Sequence, residues 1–522
     1  MNSIKSFRVS GKEQLLLFNS ARFLLFFPAV TLIYFIIPHR WRYLWLLGAS
    51  YYFYMCWSPR YALLMAASTL ITWLSGLGLE RAERFWGPGR RTRWKKLFVG
   101  FSFALNLGIL FVFKYLDFAL ETLQRLLAAV GAQVALPALD LLLPVGISFY
   151  TFQALSYTVD VYRGDVKAEH NLLRYALFVS FFPQLVAGPI ERSKELLGQL
   201  QEKHGFDFAR AKSGVLLMLW GYFEKMVVAD RAAIFVNQVF ARYRACEGLT
   251  CVLAVVLFAI QVYCDFAGYS DIACGAAEVM GFRLMQNFRQ PYFAHTLAEF
   301  WARWHISLST WLQDYLFEPL VWSGWAQRLP LVGKRMKRPP VYSSLILTFL
   351  VSGLWHGASW TYVAWGALHG GLQVLGKLTK KLRRRVLRRL RVEVDQPCHR
   401  LLQQMLVFTS VCASYVFFRS ASIRDALNFF GRVFSTPNPW VLFDGSLYCW
   451  GLDKLQWAVL LVAIAMLWLV DLWRGHADLR GQLERQCRPV RWTAYVGAVL
   501  LVAVFGVYGP QFDASRFIYF QF

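Results

Sequence analysis

Two histidines sit where their neighbours are mostly apolar, and an imidazole in such a place is the first candidate for chemistry. His356 lies inside SGLWHGASW, Ser352 to Trp360, and His305 inside EFWARWHISLSTWLQDY, Glu299 to Tyr315. A neutral imidazole accepts a proton near neutral pH. The reaction that suits it is the attack of a hydroxyl on an acyl carbon, with the imidazole taking the hydroxyl proton. Other chemistries lack their residues. The closely spaced HxxxH or HxxHH pairs that membrane di-iron oxygenases need do not occur, nor do GxSxG, a Walker loop or HExxH. The nine cysteines show no CxxC and no metal-ligand spacing, so they read as small apolar fillers and no metal site is expected. His369, in AWGALHGG, has glycines beside it that let helices approach closely, which favours packing over function.

Further polar residues interrupt apolar runs. QVYCDFAGYSDIACG, Gln261 to Gly275, carries Asp265 and Asp271; carboxylates there need Arg or His partners from neighbouring helices, or a water-filled cavity, and either orient substrate or lock helices. LPVGISFYTFQALSYTVDVYRG, Leu143 to Gly164, opens with Pro-Val-Gly and carries Ser148, Gln153, Asp160 and Arg163, the pattern of a broken helix lining something polar. The substrate-binding candidates are Asp265, Asp271, Ser148 and Gln153, with Trp304 and Trp355, each next to one of the two histidines.

The elements that must position these residues are membrane helices. Of 522 residues, 57% are hydrophobic and 17% aromatic, and only 17% are charged, which points to an all-α polytopic membrane protein. Candidate spans are Leu15 to Ile37, Trp41 to Trp57, Tyr61 to Leu79, Leu97 to Leu120, Leu141 to Tyr162, Leu172 to Val186, Val215 to Phe240, Cys251 to Ala273, Leu401 to Phe418, Leu455 to Trp473 and Trp492 to Tyr508, besides the stretch around His356. That stretch, Val341 to Gly376, has 36 residues. As a straight helix it would measure roughly 54 Å against a ~30 Å hydrocarbon core. Lys334, Arg335, Lys337 and Arg338 precede it, and nine cations from Lys377 to Arg391 follow it. Short basic loops stay on the cytoplasmic side, so the chain must enter and return as a hairpin that reverses near Gly357 to Trp360, with His356 at its buried end. In the segment before it, Trp301, His305, Leu308 and Leu312 share one face of an amphipathic helix.

The net charge of +25 would suggest nucleic acid in a soluble chain. Here the cations collect in short loops and read as orientation signals, so no nucleic-acid partner is expected. Arg40 and Arg42, and the seven basic residues from Arg81 to Lys96, would place their loops inside and the N-terminus outside; Lys5, Arg8 and Lys12 pull the other way. In Lys377 to Arg391, Leu378, Leu382, Val386 and Leu390 recur every four residues, which suits a helix lying on an anionic leaflet or a solvated basic helix between spans. No cleaved signal segment is expected. The expected organisation is a polar N-terminal extension, residues 1–14, followed by one transmembrane domain, residues 15–522.

WHISLSTWLQDYLFEPL, SGLWHGASW, LPVGISFYTFQALSYTVDVYRG and SFFPQLVAGPIERS (Ser180 to Ser193), with the LLLFNSARFLLFFP start and the RFIYFQF end, resemble the membrane-bound O-acyltransferase family, in its alginate O-acetylation branch. The strings match in order from about Leu17 to Phe522. The resemblance implies a multi-helix bundle around a funnel or tunnel, with about eleven transmembrane helices plus re-entrant and amphipathic ones. It further implies a catalytic base at His356 and a second polar site at His305. The implied donor is acetyl-CoA or a related activated acyl (acyl-CoA or an acyl carrier thioester), approached from the cytosol with no bound cofactor, and the acceptor is a hydroxyl of an extracytoplasmic polysaccharide. A separate SGNH-type acetyltransferase outside the cell membrane is the implied partner, with membrane lipid around the chain. Three further readings stand beside this one. One is D-alanyl transfer from a carrier-protein thioester to teichoic acid, within the same family; another is a polysaccharide or lipid-linked sugar transporter using Asp265 and Asp271. The last is a scaffold in which the histidines only pack.

Overall fold

At membrane depth every backbone polar group must be satisfied within its own segment, and a chain this apolar has the helix as its answer. The computed structural model describes residues 16–132, 134–139, 141–186, 188–323, 341–475 and 477–508, and among them the chain is helix and connecting turn without strand. Residues 1–14, the Lys334 to Arg338 cations and the RFIYFQF end lie outside the described residues. Among the described residues, six helices are long and apolar enough to cross a membrane: Pro59–Phe85, Pro88–Ala129, Gly248–Met280, Pro397–Arg419, Lys454–Arg474 and Arg488–Phe505. Ala21–Ile36 and Val341–His356 are shorter apolar helices. The chain groups into two compact units, one drawn from Phe7–Met218 and Ser270–Met285, the other mainly from Leu219–Tyr269 and Gln286–Phe522.

In the first unit, small and hydroxyl residues let helices approach and satisfy one another. The hydroxyl of Tyr175 donates to Thr72 Oγ1 (2.8 Å), Ser102 and Thr158 hydroxyls meet at 3.1 Å, and Ser68 donates to Asn106 Oδ1 at 2.5 Å. The expected span at Leu97 to Leu120 is the middle of the 42-residue helix Pro88–Ala129, which passes through a π-helical turn at Phe111–Tyr115. The expected span from Leu141 becomes helical only at Ile147. Gly146 takes a φ of +71° with its α-carbon against the Leu185 carbonyl, where a side chain would not fit, so the Pro-Val-Gly string leads into one unbroken helix, Ile147–Arg163, in place of the expected broken one. The segment from Leu172 to Val186 is two short helices, Leu172–Ser180 and Phe182–Leu185. Pro183 starts the second of these and cannot continue the first.

The second unit contains the expected hairpin. Val341–His356 runs in, residues 357–359 turn, and Trp360–Arg389 runs out. The arms touch because Gly353 faces the Tyr362 carbonyl and Gly366 faces the Phe349 carbonyl at distances no β-carbon would tolerate. The Ser359 side chain caps the second arm by accepting from the Thr361 amide (3.3 Å). Cations from Lys377 to Arg389 continue this arm as one uninterrupted helix, with Leu378, Leu382 and Val386 exposed along it.

Candidate active site

His356 is the last residue of the hairpin's first arm, and the tight turn after it brings the second arm back over its ring. Trp365 of that arm lies 5.1 Å away, centroid to centroid, and Trp355 lies 5.0 Å away, both edge-on; Phe418 of Pro397–Arg419 closes a third side at 5.4 Å. The result is an imidazole 6% exposed within aromatic walls.

His305 reaches the same place by a break in its helix, which corrects the expectation of one continuous amphipathic face. Leu297–Arg303 ends, Trp304 is extended, His305 takes φ +44° and ψ 54°, and Ile306–Leu312 begins afresh. Trp301 and Leu308 therefore do not share a stripe through His305. The break is imposed by the neighbouring segment of residues 287–289. The Arg289 amide donates to the Arg303 carbonyl (3.0 Å), the Ile306 amide to the Asn287 carbonyl (2.9 Å), and the Ser307 hydroxyl to Asn287 Oδ1 (2.6 Å). A left-handed non-glycine residue costs roughly 1–2 kcal/mol and persists where surrounding bonds over-determine it.

The kink turns His305 fully inward, at 0% exposure, with its ring 4.6 Å from Phe266, 5.7 Å from Trp355 and 6.4 Å from the His356 ring. Two imidazoles at that spacing can both reach one substrate group held between them. His305 lies outside the candidate spans; burial, and secondarily the His356 imidazole, hold it well below the usual histidine range, so it is neutral.

The other candidates divide. Trp355 touches both histidines, whereas Trp304 is packed among Phe288, Phe300 and Tyr415. Asp265 is gripped by Lys225, whose ammonium lies 2.5 Å from Asp265 Oδ1 and 2.7 Å from Asp230 Oδ1. The partner is thus a lysine where arginine or histidine was expected. Lys225 carried the same sequence signal as Asp265, a charge inside the apolar run YFEKMVVA, and sits in the π-helical segment Phe223–Ala229. Asp271, Ser148 and Gln153 belong to the other unit. There Ser148 accepts from Lys114 (3.2 Å) and Gln153 donates to the Phe178 carbonyl (2.7 Å). His369 is a packing residue: Trp301 Nε1–H donates to its Nδ1 (3.4 Å), and its Nε2 meets the Ser414 hydroxyl (2.9 Å). Trp365, Phe418 and Asn287 are the site residues that sequence reasoning missed. Their part depends on contacts between distant segments, and nothing local marks them.

The sequence profile of the membrane-bound O-acyltransferase family matches residues 166–400, a range that includes both histidines. A probable alginate O-acetylase of Azotobacter vinelandii is 36% identical over 465 residues, covering 89% of this chain and 86% of that protein. The chain belongs to the membrane-bound O-acyltransferase family. A probable alginate O-acetylase of Pseudomonas putida is 34% identical over 520 residues, covering 97% of this chain and all of that protein, and a peptidoglycan O-acetyltransferase of Helicobacter pylori is 31% identical over 445 residues, covering 79% and 78%. As a member of the family, this polytopic membrane protein is an O-acyltransferase.

Proposed function

We propose that the protein moves an acetyl group from a cytosolic thioester, acetyl-CoA, to a hydroxyl of a polysaccharide outside the cell membrane, with His356 as general base. The observation that carries this reading is the meeting of two buried imidazoles, His356 and His305, within one aromatic pocket. Relatives named for acetylating alginate and peptidoglycan support the acceptor class.

In the step we infer, a ring nitrogen of His356 takes the hydroxyl proton as that oxygen attacks the thioester carbonyl. The new C–O bond forms, the C–S bond breaks, and the departing thiolate receives the proton from the imidazolium. His356 ends its helix, where a positive charge is favoured while the proton is held. His305, neutral, donates a hydrogen bond to the carbonyl oxygen as charge develops on it. Trp355, Trp365 and Phe418 keep water from competing with the sugar hydroxyl. The hydroxyl belongs to the polysaccharide itself or to a serine of an extracytoplasmic SGNH-type partner that completes the transfer.

The test is transfer of labelled acetyl from acetyl-CoA by purified, reconstituted protein to envelope polysaccharide and to soluble envelope proteins. His356→Ala should lower the rate by about 10²–10⁴, the range of general-base catalysis. Unchanged labelling in that variant would remove His356 as the base.

A further inference from the structure

In the unit drawn from Phe7–Met218 and Ser270–Met285, a cavity of about 280 Å³ has an apolar floor and a basic rim. Tyr34, Leu46, Leu177 and Phe282 form the floor and are buried. The rim carries His39, Arg40, Arg42 and Arg174, with Glu202 as its carboxylate. Arg42 is held as a clamp, donating to the carbonyls of Phe35 (3.2 Å), Ile37 (3.2 Å) and His204 (2.5 Å). Those acceptors are neutral, so its positive charge is not cancelled by them. Arg40 is exposed above the Trp41 ring, and Arg174 lies over the Tyr43 ring with Glu169 3.5 Å away. Three guanidiniums, one of them paired with Glu169, against Glu202 leave the rim with a net positive charge. The first turn of His39–Met55 opens at the same rim, adding the positive end of a 17-residue helix.

The surroundings tell which anion this suits. The rim lies where the apolar helix Ala21–Ile36 ends, and Leu32 and Ile36 of that helix are exposed. Trp41, Phe206 and Phe208 are exposed as well, and Phe206 packs edge-on against Phe35. Aromatic side chains beside arginines at the end of an apolar helix mark the headgroup level of a bilayer. A soluble phosphate gains nothing from this apolar flank, whereas a lipid phosphate brings acyl chains that cover it.

We propose that this cavity is a binding site for the phosphate headgroup of an anionic phospholipid. Arg40 and Arg174 contact the phosphate, Arg42 supplies charge from behind, and the acyl chains lie along Leu32 and Ile36. Basic pockets between membrane helices recognise anionic headgroups in this way. The site is separate from the acyl-transfer chemistry, and the proposal does not rest on that reading.

The test is native mass spectrometry of the full chain in detergent, titrated with phosphatidylglycerol and, separately, with phosphatidylcholine bearing the same acyl chains. The wild type should retain phosphatidylglycerol at least ten-fold more tightly. Each basic residue near an anionic headgroup contributes about five-fold, so the double variant Arg40→Gln/Arg174→Gln should lose roughly twenty-five-fold for phosphatidylglycerol and several-fold less for phosphatidylcholine, whose phosphate charge is balanced by its choline. Arg40→Gln alone, at an exposed position, should lose about five-fold and serves if the double variant unfolds early without lipid. Coenzyme A and inorganic phosphate at millimolar concentration should leave the lipid bound. Equal retention of both lipids by the wild type, unaltered binding in the variants, or displacement by coenzyme A or phosphate would each overturn the proposal, the last by making this a soluble-phosphate site.

Discussion

Lys225→Met tests whether the buried charges behind the histidine pocket hold it in shape. Lys225 faces Asp265 and Asp230 at 2.5 and 2.7 Å, and the three side chains are 7%, 2% and 12% exposed. At an effective dielectric near 20, two unit charges about 3 Å apart attract by roughly 5 kcal/mol, so the lysine makes about 10 kcal/mol of gross attraction. Desolvating three charges offsets much of that, and measured losses on breaking a buried pair are about 3–5 kcal/mol. Methionine keeps the length and removes the charge, leaving two carboxylates facing each other. The expected destabilisation is therefore about 4 kcal/mol, and the double variant Lys225→Met/Asp265→Asn should recover most of it by removing the repulsion between the two facing carboxylates. The assay is thermal unfolding of detergent-purified protein followed by a thiol-reactive dye, which reports exposure of the buried thiols Cys246, Cys251, Cys264 and Cys412 above the signal already given by the exposed Cys398, Cys449 and Cys487. Asp265 precedes Phe266, whose ring lies against His305, so acyl transfer should fall along with stability in the single variant. A single variant that melts within about 2 °C of wild type, or a double variant no better than the single one, would refute the reasoning.

Gly353→Ala should lower stability by about 1–3 kcal/mol and reduce acyl transfer, because a β-carbon there meets the Tyr362 carbonyl and pushes the hairpin arms apart beside His356; unfolding curves and the transfer assay read both effects. His305→Gly should be more stable than His305→Ala by about 1 kcal/mol, since only glycine adopts φ +44° freely, while both lose activity; equal stabilities would mean the backbone relaxes out of the left-handed region. The Glu191 carboxyl, in the connection before Ser193–Gln199, is pushed up to about 8 by burial despite accepting from the Met285 amide at 2.6 Å. The folded state then binds more protons than the unfolded one between its ordinary value of 4.5 and about 8, so stability falls as pH rises through that window. Glu191→Gln should flatten that decline when unfolding midpoints are compared at pH 5 and pH 8.

The place of His356 at the end of a hairpin was legible because its evidence is local and redundant: an apolar stretch too long to cross once, cations on both flanks, and a glycine at the reversal. The hairpin follows from those residues without knowledge of any other helix. His305 was legible as a residue and not as a geometry. Its apolar neighbours keep helical spacing straight through Trp304 and His305, so periodicity alone argues for one helix. The interruption comes from Asn287 and Arg289, whose hydrogen bonds compete with the helix for the same backbone groups, and a competition of that kind has no signature at the position where it is won. Lys225 stands between these cases. A charge in an apolar run is visible, but which carboxylate it meets is decided by the packing of Phe223–Ala229 on the long helix, where Gly268 lies against the Gly221 carbonyl and the Lys225 amide.

The same contrast explains why the two histidine strings meet in one place. WHGASW builds a hairpin end whose imidazole is surrounded by aromatic rings, and WHISLS builds a kink that turns a second imidazole toward it. Without the kink His305 would stay on a helix face with Trp301 and Leu308, and His356 would lose the neighbour that we assign to the carbonyl oxygen. Asn287→Ala should therefore impair acyl transfer without touching either imidazole. Removing the two hydrogen bonds that Asn287 Oδ1 accepts from the Ser307 amide and hydroxyl costs about 2 kcal/mol of stability, yet a shift of about 1 Å at His305 would lower the rate about 100-fold. Acyl transfer by this variant that matches wild type would show that the backbone bonds from Asn287 and Arg289 hold the kink by themselves.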